Sequence, residues 1–205
     1  LVYDVDRRKA VQPAAEQCPA IVLDLEYKDK DELYRECGDK YGTFDNPCRL
    51  WDTKIAEIIP NKDARNVFQQ WCGSLISDRQ QYKMEYCLFL LGPGSNGKSV
   101  VSNVIASVFG KDYFSCFSFR QLFNELSGGD FKRFASGGEF QGRVPYDKRP
   151  VKVVAPPLLC CANAMPETDD DTYGGQRRRL VVHTTTKAFI GEDRDPSLTY
   201  KLTRP

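Results

Sequence analysis

The feature that most constrains this chain is a glycine-rich octapeptide, GPGSNGKS, at residues 92–99. An unbroken apolar run of strand length, 86–91, precedes it. After it, valine and isoleucine recur at helical spacing as far as Gly110, which stands where a helix C-cap is expected. The sequence therefore predicts a strand, a tight loop and a helix in immediate succession, the setting that a Walker A loop, or P-loop, requires.

The chemistry of such a loop is phosphate binding. Its glycines let backbone N–H groups turn inward, and the helix that follows contributes the positive end of its dipole. We expect Lys98 to reach the β- and γ-phosphates of a nucleoside triphosphate, and the hydroxyl of Ser99 to coordinate Mg²⁺. The alternative is a chance glycine turn, which should recur in roughly 1 in 100 chains of this length or fewer. The predicted nucleotide-binding residues are Gly92, Pro93, Gly94, Ser95, Asn96, Gly97, Lys98, Ser99 and Val100.

The bulk composition excludes several classes of protein. The chain has 205 residues, of which 41% are hydrophobic and 28% are charged, as in an ordinary globular protein. No apolar stretch approaches the ~18 residues of a membrane span, and the N-terminus carries no signal-peptide core, so we expect no membrane partner. The net charge is only +1, and any binding to nucleic acid must therefore come from a local basic patch.

The cysteines indicate a reduced, intracellular protein that is not secreted. The eight cysteines include no C-x-x-C pair, and His183 is the only histidine, which leaves no histidine-rich zinc site. Cys87, Cys160 and Cys161 fall in apolar runs, where we expect free thiols that act as small hydrophobes. We expect His183 to be structural, since nothing in the sequence pairs with it.

Two helices are predicted ahead of the P-loop. Apolar residues at helical spacing over 51–59 indicate a helix that Pro60 ends. Asn61 is then the expected N-cap of a second helix, whose apolar face runs over 64–75. These helices are interpreted as a lead-in that packs before the nucleotide-binding core.

Three elements are predicted after the P-loop helix. Residues 113–117 are a short aromatic strand candidate, and Ser118 begins a capping-box pattern for a helix as far as 126. Residues 158–162 form a buried-strand run that ends in Asn163. If this strand lies beside the P-loop strand, the Asn163 amide could hold the water that attacks the γ-phosphate. The alternative is an ordinary turn residue.

Three consecutive arginines precede the last apolar run, 180–182. A guanidinium aimed at the γ-phosphate from a neighbouring subunit stabilises the charge that develops in phosphoryl transfer. The alternatives are a solvated charge run or a nucleic-acid patch. The candidate residues are Arg177, Arg178 and Arg179.

A basic, glycine-punctuated segment occupies residues 132–150. Aromatic residues alternate with its charges, a pattern typical of a loop or hairpin that grips a nucleic-acid backbone while rings stack on bases. A solvated hairpin is the alternative. The basic residues are Lys132, Arg133, Arg143, Lys148 and Arg149.

Four stretches in this order resemble the helicase domain of superfamily 3, in the branch of phage, plasmid and poxvirus primase-helicases. They are GPGSNGKS, KRFASGGEFQGR, LLCCAN and GGQRRRLVVH, and NVFQQWCGSLISD resembles the helical lead-in of that branch. The resemblance covers about residues 50–195. It implies an AAA+-like P-loop core, an α/β fold with three layers and a parallel central sheet, assembled as a homo-oligomeric, hexameric ring.

The resemblance also implies functional roles. ATP and Mg²⁺ would be bound at Lys98 and Ser99, Asn163 would be the sensor, and one of the three arginines would be the finger that acts on a neighbouring subunit. A hairpin over 138–150 would pull single-stranded DNA, and a primase domain or protein is an expected partner. The nucleic-acid contacts implied are Lys132, Arg143, Lys148 and Arg149.

One departure from the pattern concerns the Walker B strand, whose terminal acids hold Mg²⁺ and activate water. No apolar strand ending in acids lies between the P-loop helix and the basic segment. We therefore predict that the chain is not covalently continuous near residues 126–131, where a segment with the Walker B strand is missing. The predicted domains are a lead-in at 1–80 and a P-loop core at 81–205. If the chain is continuous, Asp130 and Glu139 are poor substitutes. The alternative function is then an oligomeric module that binds nucleotide and nucleic acid but hydrolyses ATP weakly.

Overall fold

The computed structural model describes residues 2–4, 9–11, 29, 31–32, 35, 48–76, 85–110, 113–115, 128–143, 150–165 and 177–203. The strands are β1 (Val2–Asp4), β2 (Lys9–Val11), β3 (Cys87–Leu91), β4 (Glu139–Arg143), β5 (Pro150–Val154), β6 (Leu159–Ala162) and β7 (Leu180–Thr184). The helices are α1 (Arg49–Ile58), α2 (Lys62–Ser74), α3 (Lys98–Phe109), α4 (Gly128–Ala135) and α5 (Leu198–Thr203). None of the helices in these ranges is long and apolar enough to cross a membrane.

The chain divides into two compact units, each discontinuous in sequence. One comprises Leu1–Glu57, Ser99–Ser115 and Ile190–Pro205. The other comprises Ile58–Lys98 and Cys116–Phe189, and it contains the sheet that carries the P-loop. The division falls inside α3, between Lys98 and Ser99.

The second unit is built on a three-stranded parallel sheet with the order β6-β3-β7. The P-loop strand β3 is central, and its last residue, Leu91, lies opposite Ala162 of β6 and Thr184 of β7. Parallel pairing brings the carboxyl ends of all three strands to one edge of the sheet. The chain therefore has the predicted α/β fold of a P-loop NTPase, with β3 at the position that such a fold requires.

The sheet is buried on both faces at β3. Cys87 and Phe89 point to one face, where they pack with Leu158, Cys160 and Ala135 of α4. On the opposite face of the strand, Leu88 and Leu90 are also fully buried. Because both faces of β3 are covered, its sequence is a continuous apolar run, as is usual for parallel strands in the interior of a protein.

The predicted helices before the P-loop are both present. α1 ends at Ile58, shortly before Pro60. Asn61 caps α2, because its side-chain oxygen accepts a hydrogen bond from the backbone N–H of Ala64 at 2.9 Å. Arg65 of α2 donates to the carbonyl of Ile59 at 2.8 Å, in the segment that precedes the helix.

The basic segment forms an antiparallel pair of strands, as the hairpin interpretation predicted. β4 pairs with β5 from Glu139↔Val154 to Arg143↔Pro150. Residues 144–149, which include Lys148 and Arg149, lie outside the described residues. α4 precedes the pair and covers 128–131 of the stretch where we predicted a missing segment, while residues 126–127 are not described. The missing segment therefore stays a prediction.

The first unit contains a short antiparallel hairpin, β1 with β2, and most of α3. Gly110 ends α3 with a φ of 76°, and its N–H donates to the carbonyl of Ala106 at 2.9 Å, as the C-cap prediction required. The prediction of a strand at 113–117 is wrong for 113–115, which form a turn and an irregular segment. Aromatic residues favour a strand, but a strand also requires a neighbouring strand with which to pair. Residues 116–117 and the helix predicted at 118–126 lie outside the described residues.

Candidate phosphate-binding site

The loop between β3 and α3 has a backbone that only certain residues can adopt. φ is positive at Gly92 (154°), Ser95 (61°) and Gly97 (86°). A Cβ at Gly92 would clash with the backbone and hydroxyl oxygens of Thr185 and with the Asn96 amide. A Cβ at Gly97 would lie 2.6 Å from Cδ1 of Ile58. Glycine is therefore required at both positions, because both the torsion and the space exclude a side chain.

Lys98 begins α3 and turns back into this loop. Its side chain is buried, with 8% of the residue exposed. The ammonium donates to the carbonyl oxygens of Gly92 at 2.6 Å and Pro93 at 3.0 Å. It also donates to the side-chain oxygens of Asn96 at 2.8 Å and Asn163 at 3.4 Å. Four acceptors thus converge on a group with three protons.

The electrostatics of Lys98 favour an anionic ligand. All four oxygens that it contacts in the described part of the chain are neutral. Burial lowers the pKa of Lys98 below its ordinary value, while the nearby Cys161 thiol acts in the opposite direction. A buried cation that is solvated only by dipoles gains most from a partner with full negative charge, such as a phosphate oxygen.

Asn163 lies beside the loop, because β6 is the neighbour of the P-loop strand. β6 pairs with β3, and the N–H of Gly92 donates to the carbonyl of Ala162 at 3.2 Å. Asn163 is the next residue along the chain, and its side chain is exposed apart from its contact with Lys98. This position suits a polar group that faces a ligand at the carboxyl edge of the sheet.

Sequence reasoning missed Thr185, which follows β7 at the same edge. Thr185 is 1% exposed, and its hydroxyl donates to the carbonyl of Leu91 at 2.9 Å. Asn96, itself 2% exposed, donates from Nδ2 to that hydroxyl at 2.5 Å. Beyond it, the N–H of Phe189 donates to the carbonyl of Ser95 at 2.7 Å. The available signal was a polar residue shortly after the apolar run 180–182, but only the β3–β7 register shows which groups it meets.

The prediction that the three cysteines of the apolar runs all act as small hydrophobes is wrong for Cys161. Cys87 and Cys160 are buried thiols, and burial raises the pKa of Cys87 to about 12. Cys161 is exposed instead, and its Sγ lies 3.9 Å from the carbonyl oxygen of Lys98. The alternation of side chains along β6 puts Cys160 into the core and Cys161 outside it. The apolar run alone does not reveal which face is covered.

His183 lies in β7 opposite Leu90 and is 7% exposed. Its Nε2 has no hydrogen-bond partner among the described residues. Burial lowers the pKa of His183 below its ordinary value of 6.5, so the neutral form is favoured in the fold.

The three arginines lie at the other edge of the sheet. They form a single 3₁₀ turn immediately before β7, whose first residue, Leu180, lies opposite Cys87. At about 3.3 Å per residue along a strand, Arg179 and Thr185 are about 20 Å apart. Arg179 donates from Nε to the Ser136 hydroxyl at 3.0 Å, whereas Arg177 and Arg178 are exposed. The arginines and the P-loop are therefore separated by the length of β7.

The other predicted site residues that the structure describes lie in α4, in β4 and in the P-loop itself. Lys132 is half-buried in α4, and Arg143 ends β4 in a separate two-stranded sheet. Ser99, the predicted Mg²⁺ ligand, is an exposed residue of the first turn of α3. Within the described ranges, no group of three or more histidine, cysteine or acidic side chains could hold a metal ion.

Comparison with known proteins adds evidence on the fold. No family model matches the chain, and no curated protein matches it. The apo structure of the NrS-1 C-terminal region matches with a TM-score of 0.57 at 10% identity, over 74% of this chain and 42% of that one. A second apo form of the same region matches with a TM-score of 0.58 at 10% identity, over 74% and 41%. The chain thus spans about two fifths of the NrS-1 region.

A looser match is JCV helicase with a bound acetamide compound, at a TM-score of 0.41 and 12% identity, over 66% of this chain and 44% of that one. At identities this low, the NrS-1 matches show a shared fold and nothing finer.

Proposed function

We propose that this chain is the ATP-hydrolysing motor of a DNA helicase, part of a viral, phage or plasmid replication protein that moves along single-stranded DNA as a hexameric ring. The observation that carries the proposal is Lys98. Its buried ammonium lies at the carboxyl edge of a parallel sheet, in a loop of positive-φ residues, with neutral oxygens as its contacts. This is the arrangement that a triphosphate completes.

In this proposal the chain binds ATP through the loop amides and Lys98. The backbone N–H groups of 94–99 surround the β- and γ-phosphates, and Lys98 exchanges carbonyl contacts for phosphate oxygens. Ser99 holds Mg²⁺, which when bound neutralises charge on the transferred phosphoryl group. Asn163, beside Lys98, orients the attacking water.

The arginines act on a different molecule of the ring. Because β7 separates them from their own P-loop by about 20 Å, a finger role requires the nucleotide of a neighbouring subunit. Arg177 and Arg178 are exposed and suit that role better than Arg179, which is half-buried. Assembly as a homo-oligomer then makes hydrolysis depend on both subunits.

Single-stranded DNA is the proposed substrate track. The β4–β5 pair carries basic residues on a hairpin, and such a hairpin can grip phosphates while its aromatic residues stack on bases. A primase domain or protein is the further partner expected from the resemblance. The proposed DNA-contacting residues are Lys132, Arg143, Lys148 and Arg149.

A second candidate is a nucleotide- and nucleic-acid-binding module with weak hydrolysis. It is favoured by the positions of the two acids considered as substitutes for Walker B. Asp130 lies in α4, and Glu139 is an exposed residue at the start of β4, so neither follows a strand of the parallel sheet.

In the described part of the chain, β6 pairs with β3 on one side only. This unfilled edge is where the predicted missing segment would add a strand that ends in acids.

Steady-state ATPase activity with and without single-stranded DNA separates the two candidates. A motor hydrolyses ATP with Mg²⁺, is stimulated by DNA and separates strands, whereas a binding module retains ATP without turnover. Lys98→Ala should reduce hydrolysis to background, while the matched variant Lys62→Ala, at an exposed position of α2, should not. Hydrolysis that survives Lys98→Ala, or wild-type protein that binds no ATP, would contradict the proposal.

A further inference from the structure

Three buried side chains form a continuous hydrogen-bonded chain behind the P-loop. Thr185 Oγ1 donates to the carbonyl of Leu91 at 2.9 Å. Asn96 Nδ2 donates to Thr185 Oγ1 at 2.5 Å, and Lys98 Nζ donates to Asn96 Oδ1 at 2.8 Å. Each of the three residues is at most 8% exposed. Water therefore competes poorly for these bonds, and each polar atom depends on its protein partner.

The direction of the bonds assigns a role to each group. The Thr185 hydroxyl has one proton, which goes to Leu91, so only its lone pairs remain for Asn96. Asn96 must then present Nδ2 to Thr185 and Oδ1 to Lys98. If the amide were turned around, its NH₂ group would face an ammonium that can only donate. The hydroxyl of Thr185 thus fixes which end of the Asn96 amide faces the lysine.

We infer that Thr185 is a positioning residue for Lys98 that acts through Asn96. The inference rests on the proposed triphosphate site and adds a residue outside the P-loop motif. The hydroxyl keeps Oδ1 of Asn96 toward the ammonium, so that Lys98 is held at the phosphate position before and after nucleotide binds. Such prior orientation lowers the cost of binding, because the group is not ordered anew.

A purely structural role for Thr185 predicts something different. Its backbone N–H also donates to Leu91, at 2.7 Å, and this bond persists whatever the side chain. A hydroxyl that served only to hold β7 against β3 would affect unfolding and leave ATP affinity unaffected in folded protein. The two roles are therefore separable by substitutions of the side chain alone.

The test is the affinity of the full chain for ATP with Mg²⁺, measured by calorimetry. Thr185→Val removes the hydroxyl at nearly constant volume and should weaken binding about tenfold. Thr185→Ser retains the hydroxyl and should restore affinity to near the wild-type value. Thr186→Val, at the exposed neighbouring threonine, is the matched control and should leave affinity unchanged.

The Lys98→Ala variant distinguishes a positioning role of Thr185 from a purely structural one, with ATP affinity as the measured quantity. In Lys98→Ala, adding Thr185→Val should cause no further loss, because the group that it positions is gone. If Thr185→Val fails to fold, Thr185→Cys against Thr185→Ser repeats the test, since both lack the methyl group and only serine bonds strongly. The cysteine variant should then bind ATP more weakly.

Three results would overturn the inference. Thr185→Val or Thr185→Cys that binds as tightly as its hydroxyl-bearing counterpart removes the positioning role, while the proposed function stands. An equal loss in the wild-type and Lys98→Ala backgrounds does the same. Wild-type protein that binds no ATP defeats the proposed function itself, and the inference with it.

Discussion

The two edges of the parallel sheet hold their cations in different ways. At the carboxyl edge, Lys98 is 8% exposed and is held by four neutral oxygens. At the amino edge, Arg177 and Arg178 are exposed on a short turn. A buried cation in a fixed cage suits one ligand in one pose, whereas exposed guanidinium groups can reach a second molecule. We call the carboxyl edge of the sheet, with Lys98, the binding edge, and the amino edge, with Arg177 and Arg178, the presenting edge. The proposed function uses both.

The largest effect is expected at the binding edge. Lys98→Ala removes the ammonium and should reduce ATP hydrolysis to background and weaken ATP binding in the same protein, because the proposal places this ammonium in direct contact with the phosphates. Hydrolysis and calorimetric affinity are measured together. A variant that lost hydrolysis but bound ATP normally would show that Lys98 does not belong to the binding edge.

The presenting edge should behave in the opposite way. Substituting both Arg177→Ala and Arg178→Ala should lower kcat by about 1000-fold while ATP affinity stays near the wild-type value. Mixing this variant with Lys98→Ala should recover hydrolysis, because each supplies what the other lacks at a shared interface. Failure of the mixture to recover activity, with both proteins still assembled, would place the arginines outside the reaction.

A pair of glycine substitutions separates loop geometry from loop composition. Gly92→Ala places a Cβ against Thr185 and Asn96 at a positive φ, and it should lower the free energy of unfolding by about 2 kcal/mol or more. Gly94→Ala meets nothing within 4 Å and should be nearly neutral for stability. Chemical denaturation of both variants is the measurement. Equal stabilities would mean that the loop is not clamped at Gly92.

The smallest effect concerns pH. The pKa of His183 is below 6.5 in the fold, so the unfolded chain takes up its proton first as the pH falls. The free energy of unfolding should therefore decrease as the pH is lowered from 6.5 towards the folded pKa, and this contribution should be intact above 6.5. His183→Gln should show a flatter pH dependence in denaturation series above and below that value. An unchanged slope would show that His183 titrates normally.

Structural features that depend on neighbouring residues could be predicted from the sequence. The strand, loop and helix around residues 92–99 were predictable, because apolar spacing and glycine positions are properties of adjacent residues. The Asn61 cap was predictable for the same reason, since a cap bonds only three residues along the chain.

Non-local features were not predictable in detail. The bond between Thr185 and Asn96 depends on the β3–β7 register. The two residues are 89 positions apart in the sequence, so no local pattern could predict their contact. The exposure of Cys161 depends on which face of β6 is covered. The separation of about 20 Å between the arginines and the P-loop follows from parallel pairing, which only the assembled sheet displays.

The most direct test is a structure of the chain with Mg²⁺ and a non-hydrolysable ATP analogue. We predict phosphate oxygens within hydrogen-bond distance of Lys98 Nζ and of the backbone N–H groups of 94–99, with the Asn96–Thr185 bond retained. An analogue bound elsewhere at saturation, with Lys98 still bonded to the carbonyls of Gly92 and Pro93, would contradict this prediction.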